Sequence, residues 1–170
     1  MSIVSDIEKL KKEKNAVILA HYYVDDDVQD VADYIGDSFY LSKVATKVSQ
    51  DRIIFAGVEF MGESAKILNP EKRVFMPDIN ADCPMAHMAD KDEILKLREE
   101  YDDLAVVCYI NSTAELKKYS DVCVTSSNAV KIVKNLPNKN IFFIPDRNLG
   151  HFVAKQCPDK NFIFNNGCCP

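Results

Sequence analysis

Several features are missing from this chain, and each absence removes a class of function. No apolar run approaches the roughly 20 residues that a membrane-spanning helix needs, so no transmembrane segment is expected. No basic run exceeds a few residues, and the net charge is −5. That balance lacks the positive footprint of a nucleic-acid or anionic-membrane binder, so neither partner is expected. The first residues, MSIVSDIEKLKKEKN, are charged where a secretory signal would be apolar. The expected setting is therefore cytoplasmic. There, six cysteines favour thiol, metal or catalytic roles over disulfides. No Cys-x-x-Cys pair occurs, which gives little support to a compact structural zinc site.

What is present is an internal echo. The stretch Arg52–Pro84, RIIFAGVEFMGESAKILNPEKRVFMPDINADCP, returns 88 residues later as Asn140–Pro170, NIFFIPDRNLGHFVAKQCPDKNFIFNNGCCP. Ile53 and Ile141, Phe55 and Phe143, Gly62 and Gly150, Pro70 and Pro158, and Lys72 and Lys160 coincide. Both copies run strand, turn, helix, Pro step, strand, loop and Cys-Pro, with the closing loop two residues shorter in the second. A repeat of this kind bears on the whole fold. It predicts two units, 1–88 and 89–170, each with a modest core.

Ile3, Ile7 and Leu10 predict an amphipathic helix ending near Asn15. AVILA at 16–20 reads as a buried strand leading into His21-Tyr22-Tyr23. Val28, Val31, Ala32 and Ile35 predict a helix, a short strand falls near Tyr34–Gly36, and Leu41, Val44, Ala45 and Val48 predict a helix with Ser38 near its start. The first limb of the echo then supplies a strand, a helix, a strand and a loop carrying Cys83. A charged helix at Asp90–Tyr101 corresponds to the first one. The second unit repeats the order: a strand at 104–110, a helix at Thr113–Tyr119, a short strand, a helix opened by Thr125-Ser126-Ser127-Asn128, and the second limb. Strands alternating with helices predict an α/β fold of two repeated three-layer α/β/α units with parallel sheets. Right-handed crossovers then restrict the topology.

Ligands of open parallel sheets bind beyond the carboxyl ends of the strands. Those ends carry His21, Tyr23, Asp37, Ser38, Glu59 and Cys83 in the first unit, and Tyr109, Asn111, Thr125, Ser126, Asp146, Arg147, Cys168 and Cys169 in the second. The offset sets His21 over Tyr109, Tyr23 over Asn111 and Ser38 over Ser126. If the two sets of strand ends face each other, these groups line one cavity. Helices beginning at Ser38 and Ser126 would aim N–H groups at a carboxylate or phosphate there. Each residue also has a plain reading: serine as an N-cap, tyrosine as half-buried packing. The coincidence across the repeat favours a site. Cys108 and Cys123 fall inside strand patterns and are expected in the core, and Cys157 at a helix end is expected to be structural.

Cys83 and Cys169 both precede proline and both close a repeat. Cys-Pro steps are familiar beside iron–sulfur ligands. Two thiolates do not complete a four-iron cluster, so the arithmetic asks for a third repeat with a third cysteine.

At this point the sequence resembles the quinolinate synthase family along its whole length. The resemblance rests on NAVILAHYY (15–23), DYIGDSFYLS (33–42), FAGVEFMGESAKILNPEKRVFMPDINADCPM (55–85), CYINSTAELKKYSDVCVTSSNAVKIV (108–133), IPDRNLGHFVAKQ (144–156) and the ending GCCP (167–170). It implies three α/β/α units around a pseudo-threefold axis, with a [4Fe–4S] cluster held by one cysteine from each. It implies condensation of iminoaspartate with dihydroxyacetone phosphate to quinolinate, phosphate and water, with L-aspartate oxidase as supplier of iminoaspartate. His21, Ser38, Tyr109, Ile110, Asn111 and Ser126 would bind substrate, His21, Tyr23 and Tyr109 would be catalytic, and Cys83 and Cys169 would ligate the cluster. The family's third unit and its cysteine have no counterpart in these 170 residues. The expectation is an incomplete form, inactive by itself. A dicarboxylate-binding module without cluster or turnover is the alternative, and a structural thiol or zinc domain is a third reading.

Overall fold

The computed structural model describes residues 2–169. It is an α/β protein with two four-stranded sheets, every strand pairing parallel to its neighbours. Contacts divide the chain between Asp82 and Cys83 into two compact units.

The first unit runs α1 (Ile3–Glu13), β1 (Ala16–His21), α2 (Asp26–Asp30), β2 (Tyr34–Gly36), α3 (Ser38–Ala45), β3 (Arg52–Ala56), α4 (Glu59–Leu68) and β4 (Arg73–Phe75), with sheet order β2-β1-β3-β4. The second follows a 3-10 turn at Pro84–His87 and runs α5 (Lys91–Glu100), β5 (Leu104–Tyr109), α6 (Ala114–Lys118), β6 (Val122–Val124), α7 (Ala129–Asn135), β7 (Asn140–Ile144), α8 (Arg147–Gln156) and β8 (Asn161–Phe164), with the same order β6-β5-β7-β8. The chain therefore reverses direction across each sheet between its two longest-paired strands. That places a crevice beyond β1 and β3, and another beyond β5 and β7.

The second unit shows why the strands read as nearly continuous apolar runs. Ala105, Val107, Ile141 and Phe143 pack with Val133 of α7 and Val153 of α8 on one face. Leu104, Val106, Cys108, Phe142 and Ile144 pack with Ile94 of α5 and Leu116 of α6 on the other. Both faces are covered, so alternation between apolar and polar residues disappears, as it does in buried parallel sheets. The charged helix at α5 shows its packing role through Ile94, which is fully buried.

Polar side chains complete the edges of this pattern, and they do so twice. Strands β2 and β6 begin too late to pair with the early part of the central strands. Asp33 accepts from the Ile18 N–H at 2.8 Å, and Asp121 accepts from the Val106 N–H at 2.7 Å. Lys11 and Arg98 hold these carboxylates in place, each at 2.9 Å. The coincident lysines also have a shared task. Lys72 donates to the carbonyls of Ala45 and Val48, and Lys160 donates to those of Leu136 and Asn138, at or just past the ends of α3 and α7. An ammonium there satisfies carbonyls that a helix end leaves without partners. Asn15 turns α1 into β1 at a φ of 49°, a left-handed conformation that asparagine tolerates.

Two expected helices come out differently. The helix built on Val28, Val31, Ala32 and Ile35 stops at Asp30, and Ile35 lies exposed in β2. Its carboxyl-terminal half gives way to the turn that delivers Asp33 to the Ile18 N–H. The helix expected to open at Thr125 begins at Ala129, because the Asn128 side chain folds back to accept from the Thr125 N–H at 2.7 Å. Cys123, expected in the core, is exposed at the edge of the sheet. Edge strand β6 has a neighbour on one side only, so the core pattern does not hold there.

Gly62 and Gly150 let α4 and α8 approach their sheets. A methyl group on Gly150 would meet the rings of Phe143 and Phe164 at 3.0 Å each, whereas one on Gly62 would press only on the flexible Met76 side chain. We expect Gly150→Ala to lose about 1–3 kcal/mol to overpacking, against about 1 kcal/mol recovered in helix propensity. Gly62→Ala should be close to neutral. Urea unfolding of the two variants checks the difference; equal losses would contradict it.

Candidate functional site

Each unit gathers polar groups where its central strand ends. In the first, His21 is the last residue of β1 and is buried at 8% exposure, while Tyr22 and Tyr23 lie exposed beside it. The three rings pack together, with His21 4.7 Å from each tyrosine between centroids. The Tyr23 N–H donates to His21 Nδ1 at 3.2 Å. A neutral imidazole accepting at Nδ1 carries its proton on Nε2. Burial pushes the His21 pKa below its ordinary value, and the nearby Asp37 carboxylate opposes part of that shift. At neutral pH the ring is thus an Nε2–H donor rather than a cation.

Ser38 opens α3, but it is not the cap. Asp37 takes that position and accepts from the Tyr40 N–H at 2.7 Å. Sequence reasoning placed Asp37 at a strand end and gave it no role. Its spacing three residues ahead of an N–H in the first helical turn was the readable signal.

The second unit brings more groups together. Tyr109 ends β5 half-buried, and the chain then curls tightly: the Ser112 N–H donates to the Ile110 carbonyl, and the Ser112 hydroxyl donates to the Tyr109 carbonyl, each at 2.8 Å. The Ile110 N–H is used by the Val124 carbonyl at 2.8 Å. Within this curl Asn111 has a buried side-chain oxygen, Oδ1, with no hydrogen-bond partner among the described residues. A buried acceptor without a donor points to a group that arrives from outside the chain.

Tyr109 is also an electrostatic meeting point. Burial raises its pKa most, and the Asp146 carboxylate and the Cys169 and Cys83 thiols raise it further, while a hydrogen bond from Ser126 lowers it. The phenol therefore stays protonated at neutral pH. Asp146, the N-cap of α8, accepts from the N–H groups of Asn148 and Leu149. Its charge reaches Tyr109, and sequence reasoning had placed it at a strand end without a role.

Backbone geometry shows which cysteines correspond. The Glu59 N–H donates to the Ala81 carbonyl at 2.8 Å, and the Arg147 N–H donates to the Gly167 carbonyl at 2.8 Å. Glu59 and Arg147 are 88 apart, while Ala81 and Gly167 are 86 apart, as the shortened loop requires. Two residues beyond each carbonyl stand Cys83, partly exposed, and Cys169, exposed, neither of them in a disulfide. Cys168 has no such counterpart. Pro170, which completes the second Cys-Pro step, lies outside the described residues. Met85 and Ala86 are buried, and Asn165 donates to the Met88 carbonyl at 2.8 Å, which ties the segment after Cys83 into the second unit.

The sequence matches known proteins over nearly its whole length. The family model described as quinolinate synthetase A protein matches residues 5–170. A curated quinolinate synthase of Fusobacterium nucleatum is 66% identical over 163 residues, covering 96% of this chain and 55% of the relative. One from Clostridioides difficile is 56% identical, covering 96% and 54%, and one from a Sulfurihydrogenibium species is 53% identical, covering 99% and 54%. The chain spans about half the length of these relatives.

The lowered His21 pKa has a sign that can be checked. Between its folded value and the ordinary value near 6.5, the unfolded chain binds a proton that the folded chain refuses. Stability should therefore fall as pH drops through that window. Asp37→Asn retains a capping side chain and removes the opposing charge, so it should lower the His21 pKa further. Imidazole NMR titration reads both, and a His21 midpoint at or above 6.5 would contradict them.

Proposed function

The chain belongs to the quinolinate synthetase A protein family, and on that premise we propose that it carries part of a site that condenses iminoaspartate with dihydroxyacetone phosphate to quinolinate, phosphate and water. The observation that carries this reading is the convergence on Tyr109 of two thiols that occupy equivalent places in the repeat.

Substrate recognition falls to neutral donors. His21 offers Nε2–H, Tyr109 offers its phenol proton, and Ser38 and Ser126 offer hydroxyls to carboxylate oxygens. The orphaned Asn111 Oδ1 accepts from the imine or amine nitrogen, with the backbone at Ile110 shaping the same wall. Neutral donors suit this task because they orient an anion without neutralising it, and a protonated phenol near Asp146 cannot act as a competing anion. Tyr23, exposed beside the His21 ring, moves a proton between solvent and substrate. His21 and Tyr109 serve in proton transfer as well as binding.

Cys83 and Cys169 would be two ligands of a [4Fe–4S] cluster. The donor chemistry fits, since soft thiolates select iron–sulfur centres and two cysteines act electrostatically on one phenol. Bound there, the cluster would supply Lewis-acid polarisation of a substrate oxygen during dehydration. A cytoplasmic setting suits a site built on thiolates, because a reducing compartment keeps cysteines available as ligands. No helix among the described residues is long and apolar enough to cross a membrane. An oxidase acting on aspartate would supply the imine.

Anaerobic reconstitution with iron and sulfide of the protein extended to the length of its relatives, followed by iron and sulfide analysis, tests the ligands. Cys83→Ala and Cys169→Ala should each lower bound iron sharply, and Cys168→Ala should not. Iron content unchanged in the first two variants would remove the cluster from the proposal, and carboxylate binding without iron would favour a binding module. In the protein extended to the length of its relatives, Tyr109→Phe should cut quinolinate formation by about 100-fold or more with little change in thermal stability. Equal loss of both would return Tyr109 to a packing role.

A further inference from the structure

Two cysteines that the proposed activity does not use stand side by side. Cys108 of β5 and Cys123 of β6 are register partners in a parallel ladder. Partners in neighbouring strands lie about 4.8 Å apart, inside the Cα separations that disulfides span. Both side chains are on the same sheet face. Cys108 packs with Ile94 and Leu116 on the α5/α6 side, whereas Val122 and Val124, the neighbours of Cys123, pack on the opposite side. The two sulfurs are close enough for each to shift the other's pKa. One is fully buried and the other is exposed, and neither is in a disulfide.

Their surroundings stabilise charge on sulfur. The neighbouring Cys123 draws the Cys108 pKa down to about 7 against the cost of burial, and the nearby Ser112, Ser120 and Lys117 add to that shift. The same contact pushes the Cys123 pKa up, so the pair sheds one proton near neutrality and shares the other. A structural core cysteine has no need of such an environment and is ordinarily inert.

We propose that Cys108 and Cys123 form a reversible dithiol–disulfide site that reacts with low-molecular-weight disulfides. Exposure sets the order of steps. The exposed Cys123 sulfur gives its proton to the neighbouring Cys108 thiolate as it attacks one sulfur of the small disulfide, whose S–S bond breaks; the first thiolate released takes that proton and leaves Cys108 ionised again. The Cys108 thiolate then attacks the Cys123 sulfur of the mixed disulfide and expels the second thiolate. Both protein protons end on the two released thiols. The protein pair is oxidised by two electrons and the small disulfide is reduced by two. The bond that results staples β6 to β5 one residue before Tyr109 and three before Ser126.

The test exposes the native protein to oxidised glutathione and maps trypsin fragments without reduction. Residues 99–117, carrying Cys108, should be linked to residues 119–131, carrying Cys123, as the dominant linked species, and dithiothreitol should separate them. In Cys123→Ser, an exposed position where folding can be checked by circular dichroism, Cys108 should stay reduced and unmodified. In Cys108→Ser, Cys123 should accumulate the glutathione mixed disulfide. Wild-type protein that stops at glutathione on Cys123, leaves Cys123 unreacted, or links either cysteine to a different partner would overturn the proposal. None of these readouts depends on iron or on quinolinate formation.

Discussion

A strand buried on both faces must find a backbone partner along each edge, because unpaired N–H and C=O groups away from water are costly. Strands β1 and β5 carry this constraint in the two units. Each lies between a short outer strand and a longer inner one. Where the short strand fails to reach, an aspartate takes its place, and a base from the first helix of the unit steadies that aspartate. Where the central strand ends, the packed layers end too, and polar residues become affordable. His21 and Tyr109 occupy that boundary, which is why both are shielded enough to have shifted pKa values and open enough to meet a ligand.

The repeat gives physical content to the cysteines. A backbone hydrogen bond closes each long loop onto the first residue of the fourth helix in its unit. The loop is thereby measured from a fixed point, and the thiol two residues further on is delivered to a defined place. The two-residue deletion in the second loop leaves that distance unchanged. The cost is a chain that leaves little slack between the anchoring carbonyl and the thiol. Gly167 lies so close to the Pro145 carbonyl and the Met88 side chain that any Cβ there would collide.

Much of this was legible because period and position carry it. The strand runs, the two-unit plan, the parallel sheets and the candidates at strand ends follow from apolar patterning and an 88-residue offset. The helix after His21 was overrun, since apolar residues in a short β-edge strand mimic a helical face. The cap at Asp37 and the neighbour at Asp146 were visible as residues but not as partners, because their roles depend on which N–H and which phenol they face. Cys123 looked like core for the same reason: its strand pattern is apolar, and only strand order puts it at an edge.

The sequence by itself determined the alternation of elements, the repeat, the family and the identities of the groups available at each strand end, since these depend on local period and on residue type. Tertiary structure decided the rest. It alone brought Asp146, Ser126 and two thiols to one phenol, left Asn111 Oδ1 without a partner, and set Cys108 beside Cys123 with one sulfur sheltered and the other exposed. These are properties of distance across the chain, and they come into being when strand order and register place residues far apart in sequence within reach of one another.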